Sequence, residues 1–192
     1  ADAAGNVGEV VTEINEEAYP GVVYDTVAPK LSAMGIFNWT NDNYGGDITL
    51  ATRDEHIRLY VTFTEMLGVN PKVDIYGENG KVTTMDLAWS KAAQFYFVEF
   101  DTTEELQLPQ GKIQYRIYGY EDAAGNVGDD ITQEQTTSKE YPYVIYDTVA
   151  PEYTALGIVN GSHYDAKEGD IYHAKTGDYV RILVQFDNEK LT

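Results

Sequence analysis

Apolar side chains alternate with polar ones over several short segments of the chain. From His56 to Phe63 every second residue is apolar, and Val180 to Phe186 repeats that pattern. Similar alternation runs through residues 72–76, 94–100 and 112–119. A period of two with many β-branched and aromatic residues predicts half-buried β-strands, because successive side chains point to opposite faces of a sheet.

Turn-forming residues separate these segments, and the spacing predicts an all-β module of about seven or eight strands, an immunoglobulin-like antiparallel sandwich. A single helical turn is expected at 86–94. On the alternation, Tyr60, Tyr76, Tyr96 and Tyr118 are expected to face outward. The predicted strands lie at 30–37, 47–51, 56–64, 72–76, 81–85, 94–100, 112–120 and within 129–146.

Two motifs occur twice. The heptapeptide D-A-A-G-N-V-G stands at 2–8 and again at 122–128, and the hexapeptide Y-D-T-V-A-P at 24–29 and 146–151. Such duplication at matching spacing indicates tandem repeats. We therefore predict three parts: the last strand and linker of a preceding, incomplete repeat (1–28), a complete repeat (29–148) and the first strands of a following repeat (149–192).

Composition narrows the possible partners. The chain has 13 basic and 32 acidic residues and a formal net charge of −19. Because this charge repels phosphate backbones and anionic lipids, nucleic acid and membrane insertion are excluded and cations are favoured. The sequence contains no cysteine, which excludes disulfides, thiolate metal sites and cysteine nucleophiles.

The repeated loop and linker point to a family. Together with the F-T-E stretch at 63–65, they resemble the tandem bacterial immunoglobulin-like modules of large surface adhesins. The resemblance implies sandwiches stacked in a rod on the bacterial cell surface, each contacting neighbouring repeats, with calcium stiffening the junctions. The chain departs from the family pattern in two ways. This repeat is longer than the common module by some tens of residues, and its second copy reads F-D-N-E at 186–189 in place of F-T-E.

Strand direction independently brings three segments to one pole of the predicted sandwich. The incoming linker, the loop after the second main strand and the D-A-A-G-N loop should meet there, bringing together Asp25, Glu65, Asp122 and Asn126. Carboxylate and amide oxygens are ligands that Ca²⁺ prefers. The alternative is turn chemistry alone, in which the Asp side chains accept hydrogen bonds from nearby backbone N–H groups.

The neighbouring junctions are expected to hold only half-sites, which should bind calcium weakly or not at all. One contains Asp2 and Asn6, and the other contains Asp147 with 187–189.

A structural role is the function that these features favour: a spacer in the stalk of an extracellular adhesin, and not an enzyme. None of the three histidines has a second histidine at metal-ligand spacing. The alternatives are a module that binds carbohydrate or a host protein, an accessory module of a secreted protease or glycosidase, and association with other copies in a filament. Trp39 and Tyr44 are the candidates for ligand contact, although capping of the sandwich edge is the favoured role for them.

Overall fold

The structure is a computed structural model that describes residues 3–7, 21–164 and 170–187. It divides into two compact units, Ala1–Asp147 and Thr148–Thr192, which we call the sandwich unit and the hairpin unit. Both consist mainly of antiparallel strands with few helical residues, which confirms the predicted all-β class. The repeat boundaries at 28 and 148 stay predictions.

Short strands and three 3-10 turns make up the sandwich unit, together with the helix α1 (Trp39–Tyr44). The turns are Glu78–Gly80, Glu104–Leu106 and Gln133–Gln135. The strands are β1 (Leu31–Asn38), β2 (Leu50–Ala51), β3 (His56–Phe63), β4 (Leu67–Val69), β5 (Lys72–Tyr76), β6 (Val82–Asp86), β7 (Ala88–Ser90), β8 (Phe95–Asp101), β9 (Gly111–Lys112), β10 (Gln114–Tyr118), β11 (Glu121–Asp122), β12 (Ile131–Thr132) and β13 (Ile145–Tyr146).

Two four-stranded antiparallel sheets form the sandwich. One has the order β1-β3-β8-β7 and the other β12-β10-β5-β6. These orders correspond to the A-B-E-D and G-F-C-C′ sheets of an immunoglobulin-like sandwich. Strand β13 instead pairs in parallel with β2 and antiparallel with β9, and β11 pairs with β4.

The core lies between the inner faces of the two sheets. The predicted alternation is confirmed in β3, where Ile57, Leu59 and Val61 are fully buried, and in β10, where Tyr115 and Ile117 are. Burial of each such aliphatic side chain contributes about 1.5–3 kcal/mol. The alternation therefore fixes which face of each strand meets the opposite sheet.

Two sequence-based expectations are wrong. Tyr96, expected to face outward, is buried with the even-numbered residues of β8, and its hydroxyl accepts a hydrogen bond from the Leu67 backbone N–H at 3.2 Å. The helical turn expected at 86–94 is absent: Asp86 ends β6, and the residues after it form β7 and a turn, because pairing of β7 with β8 outweighs the helix propensity of Ala and Lys. After β1 the chain forms helix α1, which is capped by Asn38 and ended by the left-handed Gly45.

In the hairpin unit, β14 (Tyr153–Asn160), α2 (Gly161–Tyr164) and β15 (Val180–Phe186) repeat the start of the sandwich unit. The pairing of β14 with β15 copies that of β1 with β3, including the irregularity near the first residues of each pair. The D-A-A-G-N loops also agree, since φ is +87° at Gly5 and +88° at Gly125. The sequence repeat is therefore a structural repeat.

Two buried tyrosines make the sandwich unit sensitive to alkali. Burial raises the pKa of Tyr115 to about 12, and burial together with Asp129 and Asp130 raises that of Tyr120 to about 12. Between pH 10 and 12 the native state keeps protons that the unfolded state releases, so stability falls as pH rises, with a slope of about 1.4 kcal/mol per pH unit for Tyr115. Because Tyr115 and Tyr120 each contribute such a slope, denaturation curves across this range should show about twice that value, and Tyr115→Phe should reduce the slope by about half. An equal slope in the variant would contradict the assignment.

Candidate metal centre at the linker

The D-A-A-G-N loop is organised by one carboxylate. Asp122, which is buried at the end of β11, accepts hydrogen bonds at Oδ1 from the backbone N–H groups of Ala124 at 2.8 Å and Asn126 at 2.9 Å. Gly125 adopts the left-handed conformation that closes the turn. The turn chemistry expected for Asp122 is therefore present.

Asn126 links this loop to the incoming linker. Its side-chain Nδ2 donates to Asp122 Oδ2 at 2.7 Å and to the backbone carbonyl of Asp25 at 3.2 Å. The Asn126 side chain, followed by the loop N–H groups, lowers the pKa of Asp122. Asp25 in turn accepts the Val27 N–H at Oδ1, at 2.9 Å. One amide thus ties the linker to the sandwich.

Glu65 completes a group of three carboxylates, which we call the junction cluster: Asp25, Glu65 and Asp122. One oxygen from each lies within 4.8 Å of the other two. Burial, and then the charges of Asp122 and Asp25, raise the pKa of Glu65. Strand direction predicts these three residues at one pole, and the structure brings them together.

Asn126 is oriented differently from expectation. As a calcium ligand, its amide oxygen was expected to face the carboxylates, whereas Nδ2 faces Asp122 and the Asp25 carbonyl. Rotation of the amide by half a turn would exchange Nδ2 for Oδ1. The amide can therefore serve the linker in either of two ways, as a hydrogen-bond donor or as an oxygen ligand.

The junction cluster borders an open cleft of about 230 Å³. Its lining residues are Val23, Asp25, Glu65, Ala123 and Ala124. A carboxylate has about four lone-pair sites. Asp25 uses one of them for Val27, and Asp122 uses three for the loop. Lone pairs remain on both, and the cleft admits water, so the donor set fits a hard cation such as Ca²⁺.

Two aromatic residues that were not predicted as part of the site, Phe63 and Tyr120, support the junction cluster. The rings of Phe63, at the end of β3, and Tyr120, just before β11, have centroids 4.4 Å apart. Because Glu65 and Asp122 each follow one of these rings by two residues, contact between the tilted rings fixes the strand ends that carry both carboxylates. An aromatic residue two positions before each acidic residue was the available signal.

Three of the six residues of the two predicted half-sites lie outside the described residues. Asp2, Asn188 and Glu189 are not described. Within residues 3–7, 21–164 and 170–187, the junction cluster is the one group of three histidine or acidic side chains close enough to share an ion.

Trp39 is engaged within the sandwich unit. The Arg58 guanidinium lies 3.5 Å from the centre of its ring, and Phe37 meets it edge to face. Arg58 also forms an ion pair with Glu99. Tyr44, at the end of α1, is exposed. The arrangement agrees with the expectation that Trp39 caps the sandwich.

In the part of the chain that the structure describes, no helix has the length and hydrophobicity needed to span a membrane. No protein-family model and no curated protein matches the chain.

Proposed function

We propose that this chain is part of the stalk of an extracellular bacterial surface protein, an adhesin in type, and that its complete repeat is a spacer. In this proposal Ca²⁺ binds the junction cluster and fixes the linker to the following module. Neighbouring repeats of the same chain are the partners. The rod then holds a distal domain away from the cell surface.

The observation that carries the proposal is the position of Asp25. This residue belongs to the repeated linker motif, yet its carboxylate lies beside Glu65 and Asp122 of the sandwich, and Asn126 bonds its carbonyl. Without a cation, three converging carboxylates repel one another. A cation bound here would offset that repulsion and join the linker to the sandwich through shared ligands. Such a joint would stiffen the connection between modules, as a spacer requires.

Calcium is therefore expected to stabilise the sandwich unit. At a free concentration 100 times Kd, a single folded-state site adds about 2.7 kcal/mol, which raises Tm by roughly 5–10 °C. Both tryptophans, Trp39 and Trp89, lie in the sandwich unit, so the thermal transition followed by tryptophan fluorescence reports that unit alone. Melts in chelator and in calcium measure the shift, and an unchanged Tm up to millimolar calcium would defeat the proposal.

Glu65→Gln separates metal binding from general charge effects. Because the pKa of Glu65 is raised, its ionisation opposes folding above that pKa, and the variant in chelator should melt at or above the wild-type Tm. In calcium the variant should lose most of the shift because one ligand charge is gone. Glu105→Gln, at an exposed carboxylate in the turn Glu104–Leu106, is the matched control and should keep the full shift.

A further inference from the structure

One sheet edge of the sandwich unit is both long and uncovered. The edge strands β7 and β12 have only three and two residues. The edge of β1 is covered by a later segment of the chain, since the Ile36 N–H donates to Tyr141 O at 3.0 Å. Strand β6 has five residues, and in the described part of the chain no strand pairs with its outer side. Such an edge offers unpaired backbone groups to another strand.

The pairing of β6 with β5 determines which backbone groups face this open edge. Just after β6, the Leu87 N–H donates to Pro71 O at 2.9 Å, in the same register as the paired strands. Hydrogen-bonded and non-hydrogen-bonded pairs alternate along an antiparallel ladder, so the odd-numbered residues of β6 bond to β5. The N–H and C=O groups of Val82, Thr84 and Asp86 therefore point away from the sheet, toward any strand that comes alongside.

The middle of β6 is held in place by a buried carboxylate. The Thr84 hydroxyl donates to Asp74 Oδ1 at 2.6 Å. Asp74 is buried and also accepts hydrogen bonds from the side chains of Arg116 and Tyr118, both at 3.2 Å. Strand β6 pairs with β5 without a bulge and contains no Pro or Lys, the residues that commonly blunt an edge. The edge is thus regular and ordered in advance, which lowers the entropic cost of pairing.

We infer that β6 pairs antiparallel with β6 of a second copy, with the two-fold axis at Thr84. This register sets Val82 opposite Asp86 of the second copy and uses all the outward backbone groups in about six hydrogen bonds. Lys81 precedes the strand and Asp86 ends it, so antiparallel pairing puts the basic end of each strand beside the acidic end of the other. The contact is isologous and closes as a dimer. It joins two spacers side by side, which goes beyond the proposed function and needs no calcium.

Sedimentation velocity of the full chain in chelator tests this contact independently of calcium. At about 0.15 M salt the wild type should form a concentration-dependent dimer, which added salt tightens by screening the repulsion between chains of charge −19. Val82→Glu puts like charges opposite each other at Asp86 and should weaken the dimer about fivefold, whereas Val82→Lys should tighten it about fivefold. Tyr44→Glu and Tyr44→Lys, at an exposed residue of α1, are the matched controls for net charge and should change association much less.

A single introduced cysteine tests the position of the two-fold axis. The chain has no cysteine, so oxidation of Thr84→Cys can form a disulfide only between two copies. Opposed Cα atoms of a hydrogen-bonded pair lie about 5.5 Å apart, within disulfide range, so this variant should cross-link at least about tenfold faster than Tyr44→Cys. A wild type that stays monomeric at about 1 mM, equal dimerisation of Val82→Glu and Val82→Lys, or equal cross-linking of the two cysteine variants would overturn the inference.

Discussion

Replacing Gly128 with alanine is expected to destabilise the sandwich unit by about 3 kcal/mol. A Cβ at this position would lie 2.0 Å from Cε2 and 2.4 Å from Cζ of Tyr120. The ring cannot easily move aside, because it is buried, its centroid lies 4.4 Å from that of the Phe63 ring, and its hydroxyl donates to Asp129 O at 2.7 Å. The added methyl group must therefore displace a ring that burial, the Phe63 contact and a hydrogen bond all hold in place.

Urea denaturation followed by tryptophan fluorescence measures this loss as a lower midpoint with an unchanged slope. Gly21→Ala is the matched control, because a Cβ there meets nothing within 4 Å and φ is not in the left-handed region. It should change stability by less than about 0.5 kcal/mol. Equal midpoints for the two variants would show that the Tyr120 ring is not fixed as described.

The Gly128 variant also bears on the metal centre. Tyr120 and Phe63, whose rings are in contact, each precede one ligand of the proposed site by two residues, so a displaced ring moves both Asp122 and Glu65. Calcium should then raise the Tm of Gly128→Ala less than that of wild type. The effect would come through positioning, since Gly128 contributes no ligand.

Much of the fold follows from two features of the sequence. The period of two placed β3, β5, β8 and β10 within one or two residues, because one face of each must be buried and a slip of one residue would expose it. The repeat located β14 and β15 by comparison with β1 and β3. Strand direction, independently of the repeat, predicted that Asp25 lies near Glu65 and Asp122, since it determines which loops share a pole.

The errors arose where pairing or hydrogen bonding, and not periodicity, decides the structure. Tyr96 lies on the inner face of β8 because the Leu67 N–H satisfies its hydroxyl, a contact between residues 29 apart in the chain. The orientation of the Asn126 amide depends on the Asp25 carbonyl, 101 residues away. Such partners are fixed only after the sheets have assembled. Local sequence therefore predicted which residues gather but not how their polar groups pair.

Asn38 is a further position where hydrogen bonding outweighs local pattern, and Asn38→Ala is expected to lower stability by about 3 kcal/mol. The side chain is fully buried at the end of β1. Its Nδ2 donates to Leu50 O at 2.7 Å and to Glu55 Oε2 at 2.8 Å, and its Oδ1 accepts the Asn41 N–H at 3.2 Å. Alanine would remove all three hydrogen bonds, including the one that caps α1.

The hairpin unit indicates that this network belongs to the repeat. Asn160 is also buried, and its Nδ2 donates to His173 O and Asp178 Oδ2, each at 2.8 Å, at positions equivalent to Leu50 and Glu55. The matched control is Asn43→Ala, whose exposed side chain donates to Trp39 O and whose loss should lower stability by less than about 0.5 kcal/mol. Urea midpoints from tryptophan fluorescence separate the two variants. If Asn38→Ala were as mild as Asn43→Ala, water would have to replace the lost partners, and the network would not be what fixes the turn between β1 and β2.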